Sequence, residues 1–148
     1  MDALNKVNIP VNQWKNRTYS YLAAISTTLI LKFTFEAASR HDWYLDDVSV
    51  KDPLSTEMLI NNDFESSPSL TGWTIGYNSS CVSICGISNT QAHSLSKAYY
   101  TSCDSKTTWI SQSFAAIGGQ VYTITFWIYL EYSNGGGADA PTVVVKMN

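Results

Sequence analysis

The most constraining feature of this sequence is a two-residue apolar rhythm that recurs along most of its length. Leu29-Ile30-Leu31-Lys32-Phe33-Thr34-Phe35-Glu36 puts Leu29, Leu31, Phe33 and Phe35 on one face of an extended segment. Successive side chains of a strand point to opposite faces, so this spacing predicts a strand with one buried side. Trp43 to Val50, Trp109 to Phe114, Gln120 to Leu130 and Ala140 to Met147 read the same way. Gly118-Gly119, Lys51-Asp52-Pro53 and the stretch Ser133 to Asp139 supply the turns between them. No long amphipathic helix competes, because Ile25 to Phe35 is too rich in Thr and β-branched residues. Many short strands separated by turn signals predict an all-β antiparallel sandwich.

Composition narrows the function classes. The chain has 148 residues, the length of one domain, and carries 9 basic against 12 acidic residues, a net charge of −3. A nucleic-acid binder normally has a basic surplus, so none is expected as a partner. The most apolar stretch, Tyr21 to Phe35, is broken by Ser26, Thr27, Thr28, Lys32 and Thr34, and no membrane-spanning helix is expected. The first residues do not read as a signal peptide, which suggests an excerpt of a longer precursor or a mature piece of one. Two sequons, Asn16-Arg17-Thr18 and Asn78-Ser79-Ser80, and three clustered cysteines point to a secreted, extracellular glycoprotein with a disulfide.

Enzyme motifs are lacking: there is no G-x-S-x-G, H-E-x-x-H, P-loop or GxGxxG, and catalysis is not expected. Cys81-x3-Cys85-x7-His93-x9-Cys103 holds four residues of zinc-ligand type, but in no compact zinc-finger spacing, and a disulfide is the better reading. Aromatic side chains are the remaining binding candidates, since exposed rings stack on sugars. Trp14, Trp73, Tyr77, Tyr99, Tyr100, Tyr129 and Tyr132 all come into question. Tyr77, Tyr129 and Tyr132 lie near predicted loop ends and are the preferred carbohydrate-binding residues. Trp73 and Trp127 are assigned to the core.

Leu59-Ile60-Asn61-Asn62-Asp63-Phe64-Glu65 followed by Leu70-Thr71-Gly72-Trp73 resembles the opening of galactose-binding-like jelly rolls, the fold of several carbohydrate-binding modules. The usual form there is L-L-x-N-G-x-F-E, a spacer and G-W. Ile110 to Phe114 with Gly119 to Trp127 resembles the middle of that family, and Trp43 to Val50 its closing strand. The nearest likeness is to repeats of large extracellular invertebrate proteins. The resemblance implies a structural calcium held by one acid of the opening strand and one of the closing strand. Among Asp46, Asp47, Asp63 and Glu65, the best matches are Asp46 and Glu65. Alternation would turn Asp46 inward with Tyr44, Val48 and Val50. Similar repeats carry a cysteine where Cys103 stands. Its partner is Cys81 or Cys85, and Cys85 is preferred because Cys81 abuts a sequon. The third cysteine would then be free or intermolecular.

The motif order is displaced. The closing motif precedes the opening one, so residues 1–52 read as the C-terminal half of a repeat, 53–58 as a linker and 59–148 as the N-terminal half. The chain is then a window on a tandem array, a subunit whose first part completes a neighbour's sandwich, or a circular permutant closing on itself. Sharing between consecutive copies is the favoured expectation. The function expected is a non-catalytic structural repeat of a fibre, matrix or adhesive array, with copies of itself as partners. A carbohydrate-binding module, with glycans as partners, is the alternative.

Overall fold

A computed structural model describes residues 2–38, 41–66, 68, 70–77, 81, 84–103, 106–132 and 140–148. Ten strands form: β1 (Asp2–Asn5), β2 (Trp14–Leu22), β3 (Thr27–Glu36), β4 (His41–Lys51), β5 (Thr74–Tyr77), β6 (Cys85–Ser88), β7 (Ala98–Thr101), β8 (Thr107–Ala116), β9 (Val121–Tyr132) and β10 (Thr142–Met147). They make two five-stranded sheets, β1-β10-β3-β8-β5 and β2-β9-β4-β7-β6, antiparallel throughout. The expected all-β sandwich is the architecture observed, and it is compatible with a jelly roll.

The rhythm of the sequence explains the packing. Leu29, Leu31, Phe33 and Phe35 of β3 are all buried, as are Tyr122, Ile124, Phe126, Ile128 and Leu130 of β9. These two rows meet between the sheets, where Phe33 and Phe126 pack edge to face with centroids 4.9 Å apart. Such contacts add to the area effect of burying two large rings. Ile110, Phe114, Val143, Val145, Trp43 and Leu45 belong to the same core.

Among the described residues, no ladder joins two strands of the first 52 residues to each other. β1 and β3 flank β10, β2 and β4 flank β9, and β3 and β4 also pair with β8 and β7. β3 and β4 are thus inserted between second-half strands, and β1 and β2 each close a sheet edge against a second-half strand. This interleaving occurs within one chain, whereas the sequence reading favoured pairing between consecutive copies. The stretch read as a linker is a hydrogen-bonded turn: Asp52 Oδ1 accepts from the amides of Leu54 and Thr56, and the Met58 amide donates to the Val50 carbonyl. That turn returns the chain directly after β4 and lets both halves meet in one molecule.

Three further expectations are corrected. The opening motif is not a strand. Residues 59–65 form consecutive turns in which Asn61 and Phe64 take positive φ values of 49° and 60°. The buried Phe64 ring lies 5.2 Å from Trp73, whose indole N–H donates to the Asn61 carbonyl. The simple alternation of β4 also fails. Its register against β9 shifts between Asp46 and Ser49, with Asp47 at φ 46°. The extra residue of this bulge puts Val48 and Val50 on the core side with Trp43 and Leu45, and leaves Tyr44 and Asp46 on the outer face. Finally, the disulfide joins Cys81 and Cys103, with Cα atoms 5.6 Å apart, and Cys85 is the free cysteine. Cys81 and Cys103 are both fully buried, whereas Cys85 sits half-buried on edge strand β6. Thiol mapping of oxidised protein should return one free cysteine, at position 85; a free thiol at Cys103 would contradict this pairing.

Candidate functional site

A concentration of polar and aromatic side chains lies on the outer face of the second sheet, under residues 90–97. The bulge after Asp46 creates it. Asp46 is fully buried, beneath this covering segment rather than in the core. Its Oδ2 accepts from the amides of His93 and Ser94 at 2.8 and 3.1 Å, and its Oδ1 from the Asp47 amide at 2.7 Å. Asp47 holds the same two residues through their side chains. His93 Nδ1 donates to its Oδ2 at 2.6 Å, and Ser94 Oγ to its Oδ1 at 2.7 Å. Glu65 takes the next pair: Ser96 N at 2.7 Å, Ser96 Oγ at 2.9 Å and Lys97 N at 2.6 Å. The two acids singled out in the sequence therefore grip one segment.

The grip has a distinct electrostatic character at each end. Loss of water around Asp46 raises its pKa to about 6, outweighing the hydrogen bonds that favour its charged form. At Glu65 desolvation is the largest single effect and acts upward, but the donors of Ser96 and Lys97 with the Lys97 charge together outweigh it, and its pKa falls. Because Asp46 binds its proton more tightly in the fold than in the unfolded chain, its contribution to stability is greatest below about pH 4 and is lost as pH rises through about 6. The Asp46 carboxyl carbon, followed by NMR, should titrate with a midpoint near 6. A midpoint in the ordinary Asp range would contradict its burial under residues 93–94.

These carboxylates do not fit a calcium centre. Calcium gathers six to eight oxygen ligands, but here both oxygens of Asp46 and both of Glu65 face N–H or O–H donors, which take the place of a cation. Among the described residues there is no group of three or more His, Cys, Asp or Glu side chains arranged to hold a metal. The cysteine–histidine set is also divided, since Cys81 and Cys103 are joined to each other. Melting temperature should be the same in excess calcium and in chelator. A rise of several degrees with calcium would show that the acids reorganise around the ion.

Beside the grip, four aromatic residues stand in register across four strands. Trp14 of β2 faces Tyr129 of β9, Tyr129 faces Tyr44 of β4, and Tyr44 faces Tyr100 of β7. Trp14 and Tyr100 at the ends are half-buried, whereas Tyr44 and Tyr129 are buried. The Tyr44 hydroxyl donates to Glu131 at 2.9 Å, and burial raises the Tyr44 pKa. On the neighbouring rung, His93 stacks on Trp127 with centroids 3.7 Å apart, and Trp14 meets the His93 ring edge-on at 5.6 Å. Ser94 Oγ donates to Asp47 and not to the imidazole, so the cluster is no nucleophile–base pair.

The three tyrosines chosen for sugar binding are not brought together. Tyr77 is 40% exposed on edge strand β5 of the other sheet, and Tyr129 is only 8% exposed inside the aromatic row. Tyr132 lies at the far end of β9, where it lines a shallow cavity of about 220 Å³ with Lys6, Val11 and His41. Of the two Trp residues assigned to the core, Trp73 is buried there, but Trp127 lies half-exposed on the outer face. His93 and Asp47 were not selected as a pair from the sequence. Only the fold of residues 90–97 over the bulge unites positions 46 apart. Asn16 is exposed on β2, and Asn78 lies outside the described residues. No protein-family model matches the chain, and a sequence search of curated proteins finds no match.

Proposed function

We propose that this chain is a non-catalytic extracellular structural module, a galactose-binding-like jelly roll that builds a fibre, matrix or adhesive array by exchanging its two halves between copies. The observation supporting this is the interleaving: every ladder made by β1 to β4 is made with a strand from β7 to β10. Residues 1–52 of one copy can therefore occupy the same places in the next and keep all their pairings. The turn at 52–58 is the hinge. Closed, it gives the single-chain sandwich; opened, it leads into a neighbour. Effective concentration favours the closed form in dilute solution and the exchanged form when copies are dense. The buried disulfide agrees with an oxidising compartment.

Deleting Leu54 to Thr56 tests the reading, because the shortened turn can no longer return the chain to its own second half. Light scattering should then show folded multimers in place of monomers, and electron microscopy a chain of sandwich-sized beads. A folded monomer of the deletion variant would contradict it. Carbohydrate binding is the second reading, favoured by the half-exposed Trp14 and Tyr100 at the ends of the aromatic row. Saturable binding to a glycan panel, abolished by Trp14→Ala, would support that reading over the first.

A further inference from the structure

Asn16 lies on the same outer face as the Trp14–His93–Trp127 ring cluster. It is directly opposite Trp127 in the β2–β9 register, and Trp14, two residues earlier in an extended strand, projects to the same side. Asn16 is exposed, and its carboxamide is already oriented. Thr18 Oγ1 donates to Asn16 Oδ1 at 3.2 Å, while among the described residues Nδ2 has no hydrogen bond. The oxygen is tied down along the strand and the nitrogen is left to solvent. One face of Trp127 is taken by His93, stacked at 3.7 Å with 15° between the planes, and His93 in turn is fixed by Asp47. Trp14, half-buried, edge-on to that same imidazole and tilted against Tyr129 at 5.4 Å, is the partly exposed ring beside the amide.

We infer that Asn16 carries an N-linked glycan whose first sugar, an N-acetylhexosamine, rests its C–H face on Trp14. In the transfer, Nδ2 bonds to C1 of the sugar, and the bond from C1 to the diphosphate of a lipid-linked oligosaccharide donor breaks. The amide proton leaves with the diphosphate. The rings are set before the sugar arrives, so little side-chain freedom is lost when it stacks. The location also has a consequence for assembly. β2 is a nine-residue strand at the edge of its sheet, with no strand neighbour on its outer side among the described residues. Such an edge recruits other strands, and a sugar anchored on it blocks their approach. Exchange of halves is unaffected, because it uses the other side of β2. The inference stands independently of the proposed array.

The test is secretion of the full chain from a eukaryotic host in an Asn78→Gln background. The intact mass is expected to exceed that of the polypeptide by one glycan, to return on treatment with an N-glycosidase, and to stay at the polypeptide value in Asn16→Gln. After trimming to the first sugar, its ring and acetyl protons are expected to shift upfield in NMR through the indole ring current. Trp14→Leu should remove that shift and leave the glycan attached. A bare polypeptide mass would overturn the modification. First-sugar protons at the positions of an unstacked glycan, or unchanged in Trp14→Leu, would overturn the resting place on Trp14.

Discussion

Produced as separate polypeptides, residues 1–52 and 59–148 will each show no stable β-sheet, and mixing them will restore it. The reason is the strand order. β1, β2, β3 and β4 have no ladder among themselves, so the first fragment has four strands and no sheet. The second fragment keeps the β8–β5 and β7–β6 pairs, but β9 and β10 lose every strand partner they have. Isolated two-stranded pairs are marginal at best in water. Nor can either fragment cover its apolar rows: Leu29, Leu31, Phe33 and Phe35 belong to one, and Tyr122, Ile124, Phe126, Ile128 and Leu130 to the other. Each of these side chains contributes about 1.5–3 kcal/mol on burial. The loss for either fragment is therefore of the same size as the ~5–15 kcal/mol by which a whole domain is normally stable. Circular dichroism of each fragment and of the equimolar mixture checks this. A fragment that folds alone would mean the interleaving is dispensable.

Phe126→Ala is expected to destabilise the intact protein by about 3–5 kcal/mol, the usual range for removing a large ring from a core. Phe126 is fully buried, 4.9 Å edge to face from Phe33 and stacked on Tyr19 at 6.0 Å. It belongs to the second half and both neighbours to the first, so truncation opens a cavity at the contact that joins them. Ile30→Ala provides the contrast. Ile30 belongs to β3 like Phe33 but is 42% exposed on the outer side, and its loss should cost within about 0.5 kcal/mol. Denaturant midpoints of the two variants separate these effects; equal costs would place the core elsewhere.

The long strands other than β2, which was not read from alternation, were legible because their side chains carry the pattern themselves. β3, β4, β8, β9 and β10 each include a segment read from alternation, with ends differing by no more than three residues. The four-residue strands β1, β5, β6 and β7 were not, because four residues span too little of the rhythm to stand out and are fixed by the neighbours they pair with. At the site, Asp46 and Glu65 were found as a pair, but their chemistry was not. Alternation put Asp46 inward because it counts residues evenly, and the bulge at Asp47 inserts one. Tyr129 shows a related limit. Its place near a strand end suggested exposure, yet Trp14, Tyr44 and the covering segment enclose it. The disulfide partner depended on which cysteine lay inside, and only the fold distinguishes the buried Cys81 from the edge-strand Cys85. The grip on residues 93–97 joins positions distant in sequence and leaves no periodic trace.

The most direct test of the exchange between halves uses Lys32 and Lys146, which face each other across β3 and β10 and belong to different halves. Copies labelled with ¹⁴N and ¹⁵N are mixed unfolded, refolded together, and treated with a short amine-reactive cross-linker. In dilute monomer the Lys32–Lys146 cross-linked peptides should be of uniform isotope, and in the concentrated assembly a large fraction should combine both isotopes. Uniform isotope in the assembly as well would show that the halves never leave their own chain, and would contradict exchange as the means of assembly.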